Sequence, residues 1–565
     1  MSARRFETRN WRWAMLMGLV LLAAALRFYW GTRTRVIWGD EPFYLWLGQS
    51  LLNGQGYQFF GFSATHFLPL FPLAAATIGR IAGNLAAGSV TLYVVCGAVL
   101  VLPIYGISKR LAGSGAAVAA GLVTAFCPAL TAAALLWSTM TEPLFLLLIA
   151  TAWWGLFVAL QDNRFGGYAL AGLMLGLAYL TRSEGLVYVI AGPVALFGIR
   201  LTLGRSAQLR RTLVGMGLML LLICLVIGPF LVFQRIQTGR WQLGEQAGFA
   251  FSSMQGLAQR DPAMFDAATW SLDPASNEVN LFAPSSEGQG IVQAITSDPH
   301  GFARRLRGNI TALLTTATSS RLLPWPMAAL AFLGLFGKPW SARRLRGELL
   351  LIATLAGPLS FVLFDIQERY LSGLLIPALV WAGAGIAFLG HWLVDTTALC
   401  LAGDRAAQEP GSEGAQLPAA VSRVRYLVVV PALVLVGALL WQTPKVWDAM
   451  HVTHSFQPGH LAAAAALQTS GAPADAVVMS RYPAIAFHAG TRWTPTPAAS
   501  WPEILAYAQA HSARYLVLDA WEADLRPQLG FLLDPAAAPS GMRRLATLEG
   551  GAGPVVIYEL QQAVQ

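Results

Sequence analysis

The sequence predicts a polytopic α-helical membrane protein of about 11 transmembrane helices, followed by a small soluble α/β domain. Three observations carry this reading. Only 12% of the 565 residues are charged and 55% are hydrophobic, whereas an ordinary soluble chain is about 25% charged. The apolar residues gather in runs of roughly 20, the length that crosses a bilayer. After residue 442 those runs give way to short β-branched and aromatic segments alternating with helical ones. The same composition excludes a disordered chain, a nucleic-acid-binding domain and a cytosolic enzyme.

Taken in order, spans are expected near 11–31, 86–107, 115–137, 143–160, 167–181, 185–203, 212–234, 323–340, 348–364, 371–394 and 425–442. The first follows an Arg-rich head, has no small-residue cleavage site and reads as a signal anchor. The pair 167–181 and 185–203 is short and tightly joined. The distribution of Lys and Arg sets the orientation. A cytoplasmic N-terminus places Arg4, Arg5, Arg9, Arg12, Lys109, Arg110, Arg164, Arg200, Arg205, Arg210, Arg211, Lys338, Arg343, Arg344, Arg346, Arg405, Arg423 and Arg425 inside. The short outer turns then hold only Arg182 and Arg369. The net charge of +9 is thus anchoring charge in a cytoplasmic (inner) membrane, not a nucleic-acid footprint. Cys96, Cys127, Cys224 and Cys400 lie in no outer segment and lack metal-ligand spacing, so neither disulfides nor a zinc site are expected.

This topology divides the chain into a transmembrane domain, 1–442, and an extracytoplasmic domain, 443–565. The outer loops are 32–85 and 235–322. The inside segment 396–424, rich in Ala, Gly and Glu, reads as a flexible linker. The loop 32–85 holds two amphipathic stretches expected to lie along the membrane surface. Strands are expected in the C-terminal domain at Ala476-Val477-Val478-Met479, Tyr515-Leu516-Val517-Leu518 and Val555-Val556-Ile557-Tyr558. No internal repeat is visible, which argues against many transporter folds.

The placement of acids is the sharpest signal. Up to residue 244 there are six: Glu7, Asp40, Glu41, Glu142, Asp162 and Glu184. Glu7 and Asp162 fall inside; the other four fall at the outer ends of spans, where Asp365 and Glu368 join them later. Acids at membrane depth are costly and are functional candidates by default. In Trp38-Gly39-Asp40-Glu41-Pro42-Phe43-Tyr44, an acidic pair precedes the Pro that opens a helix over 42–52. Capping would explain one acid, not two. In Ser138-Thr139-Met140-Thr141-Glu142-Pro143, Glu142 begins a span, with Thr141 or Ser138 as the competing cap. In Thr181-Arg182-Ser183-Glu184-Gly185, Arg182 and Glu184 either satisfy each other or face a substrate. In Asp365-Ile366-Gln367-Glu368-Arg369-Tyr370, Arg369 beside Tyr370 suits a phosphate, and a Glu368–Arg369 ion pair is the competing reading. His66 in the first outer loop is a weaker candidate for a substrate or metal contact. The cluster Arg304-Arg305-Leu306-Arg307 either attracts an anionic headgroup or is a solvated helix face.

These motifs resemble those of membrane-embedded, lipid-dependent glycosyltransferases of the GT-C fold. The nearest groups are the protein O-mannosyltransferase-like enzymes and the aminoarabinose transferase of lipid A. Asp40-Glu41 ahead of Pro42-Phe43-Tyr44 resembles the family's acidic pair before a juxtamembrane helix. Leu68-Pro69-Leu70-Phe71-Pro72 is similar to its Pro-Pro-Leu-aromatic stretch. Thr141-Glu142-Pro143-Leu144-Phe145 resembles its second acidic motif. Thr181-Arg182-Ser183-Glu184-Gly185 resembles its Thr-Arg-Pro-Glu-Gly run, with Ser183 replacing Pro. Glu368-Arg369-Tyr370-Leu371 resembles a later motif. The resemblance spans residues 10–395 by motif order.

The resemblance implies a polyprenyl-phosphate-linked sugar donor, an acceptor (glycan, lipid or protein) reached from the outer side, and inversion at the anomeric carbon. Asp40 would be the general base, since a carboxylate in reach can take the acceptor's proton. Glu41, about 100° away on a helix, would orient the acceptor or a metal. Glu142 would approach from the next loop. Arg369, then Arg182, would stabilise the leaving phosphate, with His66, Glu184, Glu368 and Tyr370 as further substrate contacts. A divalent cation, Mg²⁺ or Mn²⁺, is left open. The competing classes are a lipid-sugar flippase or transporter, which would place its polar groups mid-span, and a non-catalytic subunit that binds the lipid carrier.

Overall fold

The computed structural model describes residues 2–33, 35–137, 140–203, 209–241, 243, 266, 269–281, 295–296, 299–337, 339–408, 421–422, 424–453, 457–534, 539, 541–551 and 553–561. Ser138, Thr139, much of the stretch 242–298 and the central part of the linker 396–424 lie outside the described residues.

The eleven expected spans all coincide with apolar helices. Eight helical stretches are long and apolar enough to cross a membrane on their own, the first being Trp13–Gly31 and the last Arg425–His451. Phe165–Tyr179 and Trp325–Phe336 are shorter apolar helices. The stretch expected at 115–137 is broken: Ser114–Phe126 and Pro128–Leu136 meet at 58°. Pro128 lacks the N–H that would continue the ladder, and the freed carbonyls need a donor. Arg27, fully buried in the first helix, supplies it, donating to Thr124 at 3.0 Å and Ala125 at 3.5 Å. The sequence alone gave no reason to expect an arginine in that role.

The loop 32–85 departs from the surface lie expected of it. The helix Glu41–Leu52 is buried along most of its length rather than resting on a membrane surface. It packs on the helix Leu70–Ala82 so closely that a β-carbon at Gly48 would stand 2.1 Å from the Pro72 carbonyl oxygen. Only glycine allows that approach. Its other neighbour is the C-terminal domain: Phe43 meets Trp493 with ring centroids 5.2 Å apart, and Trp46 meets Phe487 at 5.8 Å. Burying large aromatic faces there outweighs what a membrane surface would offer.

The C-terminal unit is a five-stranded mixed sheet in the order Arg492–Thr494, Val477–Met479, Ala513–Asp519, Gly553–Leu560, Met542–Gly550. The first three strands are parallel and the last two antiparallel. All three expected strand runs are present. The helix Val430–Thr453 carries the last span past residue 443, so the two parts join within a helix rather than at a loop. Part of the loop 235–322 joins this unit: Trp270 accepts from the Ala498 amide at 2.9 Å, and Ser271 pairs with Ala498.

Candidate active site

The candidate site forms where turns at one end of the helical bundle converge. The first turn passes through Gly39, whose φ of +61° is in the left-handed region, and delivers Asp40 to the start of Glu41–Leu52. The second passes through Met140, a non-glycine residue at φ +54°, and delivers Glu142 to the start of its span. Left-handed backbone at a non-glycine residue costs about 1–2 kcal/mol and persists where surrounding structure enforces it. The third turn is 181–184, tied to the first loop by the Leu70 amide donating to Leu180 at 3.0 Å. The fourth leads from Asp365 to Tyr370.

The adjacent acids Asp40 and Glu41 have opposite fates. Glu41 is fully buried. It accepts from Arg35 Nη2 at 2.5 Å, Arg35 Nη1 at 3.3 Å and Ser89 Oγ at 2.6 Å. Arg35 also donates to the Leu135 carbonyl at 3.1 Å. Glu41 therefore fastens the start of its helix to two neighbouring helices. Asp40 is half-buried and sits at the N-cap, yet its side chain does not cap. Its carboxylate makes no hydrogen bond or ion pair among the described residues. Burial raises its pKa, Arg369 and Arg182 pull it down, and Glu142 pushes it up. Asp40 is thus an uncommitted carboxylate facing two arginines and an acid.

Arg182 is held from three sides. It donates to Glu142 Oε1 at 2.6 Å, to Thr141 Oγ1 at 2.8 Å and to Glu184. Burial lowers its pKa, but Glu184 and Glu142 more than restore it, so its charge is secure. The expected Arg182–Glu184 pair is therefore present, with Glu142 as a second carboxylate. Arg369 donates to the neutral groups Gln367 Oε1 at 3.2 Å and Tyr370 Oη at 3.0 Å. The Tyr370 ring lies between the two cations, 4.9 Å from the Arg369 guanidinium and 6.0 Å from that of Arg182.

Glu368 points elsewhere. Its partners are Ser319 at 3.4 Å and Arg321 at 3.9 Å, so the Glu368–Arg369 ion pair considered from sequence does not form. Consecutive residues in this tight turn diverge, leaving Arg369 to the cluster and Glu368 to the 319–321 segment. His66 is half-buried beside Phe67 at 5.2 Å, and burial lowers its imidazole to about 3, so it is neutral.

Sequence reasoning missed Arg35, Ser89 and Tyr44. Arg35 stands six residues before Glu41 in a loop that also holds Arg33 and Arg80, so no local pattern singled it out. Tyr44 is one turn beyond Asp40 and mostly buried; burial raises its hydroxyl well above the usual value, and Asp40 adds to this. The i, i+4 spacing was the available signal. Among the described residues no three acids, histidines or cysteines converge as metal ligands. The acids near Asp40 are engaged by guanidinium groups or a hydroxyl. A hard cation needs several free oxygens, so these residues do not fit a resident Mg²⁺ or Mn²⁺ site.

A family model described as dolichyl-phosphate-mannose-protein mannosyltransferase matches residues 66–233. That segment includes His66, Glu142, Arg182 and Glu184 and begins after Asp40. ArnT from Cupriavidus metallidurans in the apo state aligns over 98% of this chain and 98% of its own, with a TM-score of 0.55 and 14% identity. The same protein bound to undecaprenyl phosphate aligns over 97% and 98%, with a TM-score of 0.56 and 12% identity. The fold is GT-C. A GT-C oligosaccharyltransferase from Archaeoglobus fulgidus also aligns, over 90% of this chain and 69% of its own, with a TM-score of 0.50 and 14% identity. The two ArnT alignments cover 97–98% of this chain and so take in the C-terminal sheet as well as the helical bundle. No curated sequence matches the chain.

Proposed function

We propose that the chain is a membrane glycosyltransferase that moves a sugar from a polyprenyl-phosphate donor to an acceptor hydroxyl with inversion. The observation that carries this is the uncommitted Asp40 carboxylate beside Arg369 and Arg182. The acceptor hydroxyl gives its proton to Asp40 as its oxygen attacks the anomeric carbon. The bond from that carbon to the phosphate oxygen breaks on the opposite side, and the lipid phosphate departs. Arg369, which donates to Gln367 and Tyr370 and interacts electrostatically with the Asp40 carboxylate, is the first candidate to receive that charge. Arg182, already facing two carboxylates, orients Glu142 and Tyr370 instead. Glu41 positions Asp40 through Arg35 and Ser89 and takes no part in proton transfer.

The relatives named above support the carrier class: one holds undecaprenyl phosphate. The acceptor is a glycan, lipid or protein. The site opens on the outer face of the cytoplasmic membrane, with the N-terminus inside, the C-terminal domain outside, and membrane lipids surrounding residues 1–442.

Asp40→Asn tests the reading. Transfer from a polyprenyl-phosphate sugar should fall about 10²–10⁴-fold, the worth of a positioned base, while expression and membrane insertion are unchanged. Near-normal transfer would remove Asp40 from the mechanism.

A further inference from the structure

The helix Pro299–Ala317 closes the second outer loop, and none of its residues is buried. Its course is set by four hydrogen bonds. Asn309 donates to the Val362 carbonyl at 2.9 Å and the Phe364 carbonyl at 3.1 Å. Just beyond the helix, Ser319 donates to Glu368 at 3.4 Å, and the Ser320 carbonyl accepts from Gln442 at 3.0 Å. Val362 ends one span, Glu368 precedes another, and Gln442 lies where a third becomes polar. The segment from Asn309 to Ser320 thus crosses the ends of three spans, all on the face that carries Asp40. The helix lies along that face rather than rising from it. Five residues beyond Ser320, Trp325 begins another apolar helix and is 75% exposed.

Its side chains divide by helical angle. Phe302, Arg305, Leu306, Asn309, Ala312 and Leu313 share the half-buried side. Ile310 and Leu314 lie on the other side, 47% and 65% exposed, within about 40° of each other at 100° per residue. Arg304 and Arg307 are exposed along the border of that apolar strip and make no ion pair among the described residues. An apolar strip bordered by long basic side chains, parallel to a membrane face, is the arrangement of an interfacial helix whose arginines snorkel to headgroups.

We propose that this helix is a lipid-docking surface: Ile310 and Leu314 enter the leaflet bounding the site face, and Arg304 and Arg307 bind the anionic headgroups of its phospholipids. Continuity with the apolar surface at Trp325 and the sign of the two free cations favour this occupant. The proposal rests on the membrane-spanning fold and not on the glycosyl-transfer reading.

The test uses the full chain with Cys224→Ser and Cys400→Ser, spin-labelled at Leu314→Cys, in nanodiscs of phosphatidylcholine with or without phosphatidylglycerol. The label should favour oxygen over an aqueous nickel complex as collision partner, and more strongly in the anionic discs. Arg304→Gln and Arg307→Gln should each lower the apolar-to-aqueous ratio about fivefold there, the worth of one basic residue at an anionic surface. A label equally water-accessible in both disc types would overturn the proposal. So would an Arg304→Gln/Arg307→Gln double variant that responds to phosphatidylglycerol like the parent. Inorganic phosphate reproducing the shift in neutral discs would mean a free anion site and also overturn it. Dipolar coupling between labels would do the same, by making a second copy the occupant.

Discussion

Charge is concentrated in two regions, and they handle it in opposite ways. In the C-terminal unit a network is sealed off: Asp266 accepts from Arg481 at 2.6 Å and Arg526 at 2.6 Å, and Arg526 donates to Glu522 at 2.9 Å. His460 and Asp519 lie 2.8 Å apart alongside. All six residues are buried. Burial pushes Glu522 up to about 7 against the pull of Arg526. At the helical turns, by contrast, the half-buried Asp40 carboxylate has no hydrogen-bond or ion-pair partner among the described residues. A buried charge that is fully paired holds parts together; one kept unpaired carries a standing desolvation cost that only a function repays. The C-terminal network therefore reads as the fastening of the second loop to the sheet, and the Asp40 carboxylate is left for the role proposed above.

That contrast can be broken by measuring stability and transfer on the same variants. Asp40→Asn has the largest expected effect on transfer, and thermal unfolding should be no easier, because a buried charge without a partner is removed. A lowered Tm would show that Asp40 is structural. Asp266→Ala should do the reverse. It strips the buried Arg481 of its carboxylate and leaves Arg526 with Glu522 alone, which costs about 3–5 kcal/mol, read as a lower Tm in detergent; an unchanged Tm would dissolve the contrast. Glu41→Gln falls between the two: it breaks the Arg35 pair and loosens the helix that carries Asp40. Both Tm and kcat should fall, with kcat falling less than in Asp40→Asn.

The smallest effect is a displaced pH profile. Burial holds the Asp40 carboxyl above its ordinary pKa, and Arg369 lowers it. The base form exists only above that pKa, so kcat/KM should fall as pH drops through it. Arg369→Gln removes a stabilising cation, so the acid limb should move to higher pH. A limb that stays in place, or moves down, would mean that Arg369 does not face the Asp40 carboxylate.

Much of the architecture was legible in the sequence because a bilayer penalises charge locally. Each apolar run had to be a span, and each acid at a span's end stood out against a nearly uncharged background. The grouping of Asp40, Glu142, Arg182 and Arg369 at one end was visible from alternation alone. Their division of labour was not. Asp40 and Glu41 are chemically alike neighbours, and only Arg35 and Ser89, the latter 48 residues from Glu41, separate their roles. A Glu368–Arg369 ion pair competed with a phosphate role for Arg369 until the fold gave Glu368 to Arg321.

The sequence by itself therefore determined the class of fold, the positions of the spans and the side on which the acids gather, since hydropathy and charge sort by short-range spacing. Only the tertiary structure decided which acid is spent and which is free. Pairing joins residues far apart in the chain, as Arg182 with Glu142 across 40 residues and Arg526 with Asp266 across 260. The energy of such a pair depends on distance and burial after folding, which no local pattern encodes.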